Sequence, residues 1–183
     1  MGTVLTAESQ RLHYLVRLGD EQMGDMRATK TIGIKEKYLI ESKIKIDKMI
    51  KFDLIYTIES IFEKNILLLS NVIETANGKT QTNSETKRNS TGYGVTTKKE
   101  TKTIIHKGIT YNLSKLYFEE PLGIKLIWSD SFGEMLTLKP AGEHRYELIL
   151  PNGKSSFYSY IKGICTLVET EIVFGKLTFT LTK

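Results

Sequence analysis

Apolar and polar residues alternate with a period of two along most of this chain. From Tyr38 to Ile46 one face reads Tyr38, Ile40, Ser42, Ile44 and Ile46, and the other reads Leu39, Glu41, Lys43 and Lys45. Successive side chains of an extended strand point to opposite faces, so this pattern predicts a strand with one buried and one wet face. Leu12, Tyr14, Val16 and Leu18 obey the same rule, as do Leu177, Phe179 and Leu181 against Thr178, Thr180 and Thr182. Phe52, Leu54, Tyr56, Ile58 and Phe62 continue it beside Asp53, Thr57, Glu59 and Glu63. Between Ile66 and Ile73 both faces are apolar, with Leu67, Leu69 and Ile73 opposing Ile66, Leu68 and Val72. A strand of that kind meets the main core on one side and a helix, a partner subunit or a ligand on the other.

Turn signals separate these runs. Asn77-Gly78 and Asn152-Gly153 supply the positive φ of two-residue type I′ hairpins, and Lys107-Gly108 and Lys162-Gly163 are weaker versions. Gly19-Asp20, Lys64-Asn65, Gly133, Ala141-Gly142 and Gly175 mark further reversals. The polar window from Thr80 to Thr103 reads as two solvent-facing edge strands around Ser90-Thr91-Gly92. One short helical turn is predicted near 112–119, where Leu113, Leu116 and Tyr117 have helical spacing and Pro121 stops the turn. Strands in direct succession imply antiparallel pairing. The expectation is therefore all-β: an antiparallel meander of about a dozen strands forming a barrel or half-open barrel. A single β domain over 1–183 is expected, with residues 1–10 a flexible or added lead-in.

Composition adds limits rather than a function. With 183 residues, 40% hydrophobic and 26% charged, the chain can bury a core without staples. Its longest apolar run, Ile66 to Leu69, is far short of the roughly 20 residues of a membrane-spanning helix. Between Lys79 and Lys107 seven basic residues face only Glu85 and Glu100, an excess that equals the formal +5 of the whole chain. Such a window attracts anionic partners, or it guards a sheet edge against aggregation. The second reading is favoured, and Tyr93 alone among these lysines is too little aromatic surface for a nucleic-acid face. Cys165 is the only cysteine and reads as a small core residue. The amino terminus lacks the charged-then-apolar plan of a complete signal peptide. It reads equally as a native start or as the new start left once such a peptide is cleaved.

The residue types that carry chemistry form no recognisable constellation. His13, His106 and His144 have no metal-ligand spacing. No GxSxG or phosphate-cradling glycine motif occurs. Glu119-Glu120 invites a general acid–base reading, but adjacent carboxylates diverge, whereas a glycosidase pair must flank one bond. The favoured reading has one of them tying down backbone amides or a basic side chain. No catalytic residue, metal or cofactor is expected.

The block Leu116-Tyr117-Phe118-Glu119-Glu120-Pro121, with Trp128-Ser129 and Gly133, resembles a family of exported bacterial proteins of unknown function marked by an LYFxEP-type motif. Leu150-Pro151-Asn152-Gly153, Tyr158-Ser159-Tyr160 and Gly163 extend the likeness. The Tyr14 strand, Gly19…Met23-Gly24, and Leu69-Ser70-Asn71 with Asn77-Gly78 match more weakly. The resemblance spans about Leu12 to Thr182, although the lysine-rich strands from Lys79 have no counterpart. It implies an antiparallel β-fold and export to the periplasm, with no established activity. The chain is also distantly similar to the half-open β-barrels of periplasmic lipoprotein carriers. The expected function is a non-enzymatic exported protein holding an apolar or amphipathic ligand at the cell envelope. Tyr117, Glu120, Trp128 and Tyr158 are the candidate ligand-binding residues. An envelope protein is a further expected partner, and nucleic acid is not. Two alternatives stand: an enzyme using Glu119 or Glu120 with Tyr117 or Tyr158 on an envelope substrate, and a structural or interaction module.

Overall fold

The structure, a computed structural model, describes residues 8–47, 51–173 and 175–182. The strands are Glu8–Leu18 (β1), Glu21–Ile32 (β2), Glu36–Asp47 (β3), Lys51–Glu63 (β4), Ile66–Ala76 (β5), Lys79–Arg88 (β6), Gly92–Thr96 (β7) and Thr101–Ile105 (β8). They continue as Leu126–Ser129 (β9), Glu134–Gly142 (β10), Arg145–Ile149 (β11), Ser155–Ile161 (β12), Ile164–Ile172 (β13) and Gly175–Leu181 (β14). All fourteen form one antiparallel sheet in the order β8-β7-β6-β5-β4-β3-β2-β1-β14-β13-β12-β11-β10-β9. Pairing of β1 with β14, from Tyr14↔Leu181 to Leu18↔Leu177, joins two meanders that run outward from it. The free edges are β8 and β9, so the sheet curls without closing. The all-β, half-open expectation is met, with the helical turn reduced to a 3₁₀ turn at Lys115–Tyr117. Glu8 to Gln10 already belong to β1, and residues 1–7 of the expected lead-in lie outside the described residues.

Three local readings change. The window 80–103 contains three strands, not two, and Ser84, Thr86, Tyr93 and Val95 of it are buried. Asn77-Gly78 has positive φ at both positions, as do Lys64-Asn65 and Lys162-Gly163, whereas at Asn152-Gly153 only the glycine does. Pro151 holds its own φ negative. The Gly153 amide donates to the Leu150 carbonyl at 3.0 Å, which gives a three-residue loop with a left-handed glycine rather than a type I′ turn. At Lys107-Gly108 neither residue is left-handed, and the chain leaves the sheet there instead of reversing.

The double-faced pattern of β5 also resolves differently. The register shifts between Ile61↔Leu69 and Phe62↔Leu67, leaving Leu68 as the extra residue of a bulge. Leu67, Ser70 and Val72 are consequently all buried, while Ile73 is exposed. One inserted residue moves half of the strand's apolar set across the sheet.

The connection from β8 to β9, residues 106–125, crosses the interior instead of the surface. Irregular backbone inside a protein leaves carbonyls and amides that need partners. Tyrosine hydroxyls supply several of them. Tyr160 donates to the Leu116 carbonyl at 2.8 Å, and Tyr111 to the Glu119 carbonyl at 2.5 Å. Tyr93 donates to the Leu67 carbonyl at 3.0 Å and accepts from the Ile109 amide at 2.9 Å. The Leu67 amide meets the Ile109 carbonyl, and the Trp128 amide meets that of Tyr111. These bonds place Leu116, Tyr117 and Phe118 in the core.

Candidate ligand cavity

Between the crossing segment and the inward face of the sheet lies a cavity of about 460 Å³, open to solvent on one side. Alternation along β10 to β14 sends Leu136, Leu148, Val168 and Phe179 to its wall, and Leu113 and Tyr117 come from the crossing segment. Tyr56, Glu74 and Thr82 face it from β4, β5 and β6. Some of its polar groups satisfy each other: Ser156 donates to Thr170 at 2.8 Å, and the Tyr56 hydroxyl lies 3.0 Å from that of Ser131. Two do not. Tyr117 and Tyr158 are 7% and 4% exposed, their rings meet edge-on at 6.3 Å, and neither hydroxyl has a partner among the described residues. Burial pushes both phenols upward, so they act as neutral donors at ordinary pH. Glu74 is likewise raised by desolvation. The cavity can thus hold a largely apolar molecule and offer it phenolic hydrogen bonds.

Next to it is a buried polar cluster. Ser129 and Ser131 line the cavity, while Asp130 between them is 2% exposed. Its carboxylate accepts from Ser70 at 2.5 Å and from Asn112 at 3.0 and 3.1 Å, and its carbonyl accepts from Ser84 at 2.7 Å. Ser60 accepts from Asn112 at 2.9 Å and lies 3.0 Å from Ser114. Serines from β4, β5 and β6 therefore hold the crossing segment and the start of the β9–β10 turn: Ser70 through the Asp130 carboxylate, Ser84 through its carbonyl, and Ser60 through Asn112 and Ser114. Burial dominates its titration and lifts the acid to about 6, against the lowering effect of these donors.

The family described as a domain of unknown function, DUF6134, matches residues 14–182. The chain belongs to that family. A comparison with curated proteins returns no match. Among solved structures, the fold is similar to a β-barrel-like protein of the domain of unknown function DUF1849 from Brucella abortus. The TM-score is 0.56 at 10% sequence identity, over 98% of this chain and 97% of that one. At that identity the likeness concerns the fold alone.

Of the four residues singled out from the DUF6134 sequence, Tyr117 and Tyr158 come together on the cavity wall. Trp128 is buried and donates its indole N–H to Thr86 at 3.2 Å. Glu120 lies elsewhere: its carboxylate meets His144 Nδ1 at 2.9 Å and accepts from Tyr146 at 2.9 Å. Burial works to raise Glu120, but these two partners prevail and hold it below the ordinary carboxylate value, while His144 is raised by the same contact. Glu119 faces another way and accepts from Lys30 at 2.9 Å and Tyr38 at 3.0 Å. Near it the ammonium of buried Lys115 donates to Asn65 and stands 4.3 Å above the Phe62 ring, with its pKa lowered by desolvation. The two glutamates thus sit in separate ion clusters, neither among the residues of the cavity wall. Asp130 was not singled out from the sequence. Of the serines around it, Ser60 alone lies on a face that alternation assigns to the inside, since the strand of Ser70 reads as apolar on both faces and that of Ser84 as solvent-facing.

Proposed function

We propose that this protein is a non-enzymatic carrier or holder of an apolar or amphipathic molecule, exported to the cell envelope. The observation that carries the reading is the cavity itself, walled by leucine, valine and phenylalanine side chains, with two phenolic donors opening onto it without protein partners. Both hydroxyls open onto this space rather than being sealed in the core, so they are free to donate to an occupant that supplies acceptors. The enzyme alternative draws less support. The ionisable groups on the wall are phenols raised by burial and the raised Glu74, with no nucleophile, base and orienting group in sequence. Export rests on the resemblance of the LYFxEP-type block.

Native mass spectrometry of protein purified without detergent should reveal a bound mass that organic extraction removes. A cavity-filling change, Leu136→Trp, should abolish that mass and also the uptake of a lipophilic fluorescent probe. Leu150→Trp at the wall serves as the second variant, with circular dichroism confirming the fold of each. Probe uptake unchanged in both folded variants would sink the proposal.

A further inference from the structure

We infer that the occupant is an anionic amphiphile, with its charged head group at Lys98, Lys99 and Lys102 and its chain running inward past Phe132. This rests on the ligand-holding role proposed above and adds the chemistry of the ligand. A second cleft, of about 500 Å³, lies beside the cavity. Thr82, Ser131 and Phe132 line both, so the two spaces adjoin at these residues. They differ in charge. The first space is walled mainly by aliphatic and aromatic side chains, whereas the second is bordered by Lys98 and Lys99 of the β7–β8 turn and by Lys102 of β8. Phe132 stands at the junction, 46% exposed, on a turn set close against β7: a Cβ at Gly133 would lie 2.7 Å from Val95 Cγ1.

Two of these three lysines are not consumed by ion pairs among the described residues. Lys102 meets Glu100 at 2.6 Å, but Lys98 donates only to the Thr80 carbonyl at 3.3 Å. Neither Lys98 nor Lys99 has a carboxylate partner among the described residues. Glu134 is the other acidic residue of the cleft, so three ammonium groups stand against two carboxylates. A carboxylate or phosphate head group would take charge-assisted bonds from Lys98 and Lys99 while its hydrocarbon left water. This also accounts for where part of the local basic excess lies. Lysines that only guarded an edge could stand anywhere along β6 to β8, yet three of them border the space that leads inside.

The test measures binding of laurate, 1-dodecanol and dodecyltrimethylammonium, which share one chain and differ in head charge, to the full chain at low ionic strength. Laurate should bind about tenfold or more tightly than dodecanol, and the cationic probe most weakly. The triple variant Lys98→Gln/Lys99→Gln/Lys102→Gln should bring laurate and dodecanol within about twofold of each other, with dodecanol affinity unchanged, and added salt should narrow the gap in the wild type. Equal binding of laurate and dodecanol to the wild type overturns this inference and leaves the cavity's role standing. So does a triple variant that keeps the preference. Binding of none of the three overturns both.

Discussion

At the scale of single residues, Asp130 shows burial prevailing over hydrogen bonding. Its nearest partners, Ser70, Ser84 and Asn112, are all neutral, and the Tyr56 hydroxyl beside Ser131 is neutral as well. No cation among the described residues offsets the burial of the charge, which is why desolvation outweighs the hydrogen bonds and the acid rises from 3.8 to about 6. The folded state therefore holds this proton more tightly than the unfolded chain. Stability from Asp130 is fully present below about pH 4 and is lost as pH rises through about 6, by roughly 3 kcal/mol if the whole shift is expressed. Glu119, Glu120 and Glu169, lowered by their partners, act in the opposite sense. Comparing wild type with Asp130→Asn removes their contribution. Urea midpoints measured from pH 4 to pH 7.5 should fall for the wild type relative to the variant, and parallel profiles would refute the assignment.

At the scale of elements, the alternation read from the sequence identified nearly every long strand and its inward face, because one buried face imposes a period of two. It failed where a single residue changes phase. The bulge at Leu68 puts Leu67 and Val72 on one side, and no local signal distinguishes Leu68 from its neighbours. The crossing segment failed for another reason: Lys107-Gly108 has hairpin composition, but residues 106–125 are held inside by hydroxyls of Tyr93, Tyr160 and the segment's own Tyr111, which no local pattern announces. The candidate site was half legible. Tyr117 and Tyr158 were readable as aromatics beside turn motifs, whereas Asp130 and its serines depend on long-range pairing that a linear pattern does not contain. Close strand approach leaves a sharper mark. An added Cβ at Gly24 of β2 would lie 1.9 Å from the Lys43 carbonyl oxygen, and backbone cannot rotate aside. Gly24→Ala should lose about 3 kcal/mol or more in a urea melt, while Gly33→Ala, whose nearest atom is 3.8 Å away, should stay within about 1 kcal/mol.

At the scale of the whole molecule, the long strands β1 to β5 lie side by side within the sheet, and both free edges end in short strands. β1 to β5 run 11 to 13 residues, whereas β7 and β8 have five each and β9 has four. Short edge strands share fewer ladder bonds and pack less apolar surface, so they open at lower free energy than the centre. The edges are also the strands beside the two clefts: the β7–β8 turn carries Lys98 and Lys99, and the β9–β10 turn carries Phe132. The opening that a half-open barrel cannot seal with hydrogen bonds thus coincides with the path proposed for the ligand. Amide exchange resolved by segment should reflect this. Residues 92–105 and 126–134 should exchange earliest among the strands, and β1, β3 and β4 last. Saturation with laurate should slow exchange in the edge strands selectively, since the ligand would bridge them, with little change in β1, β3 or β4. Protection that appeared equally over all strands would instead point to general stabilisation, and the gap between β8 and β9 would then not be the way in.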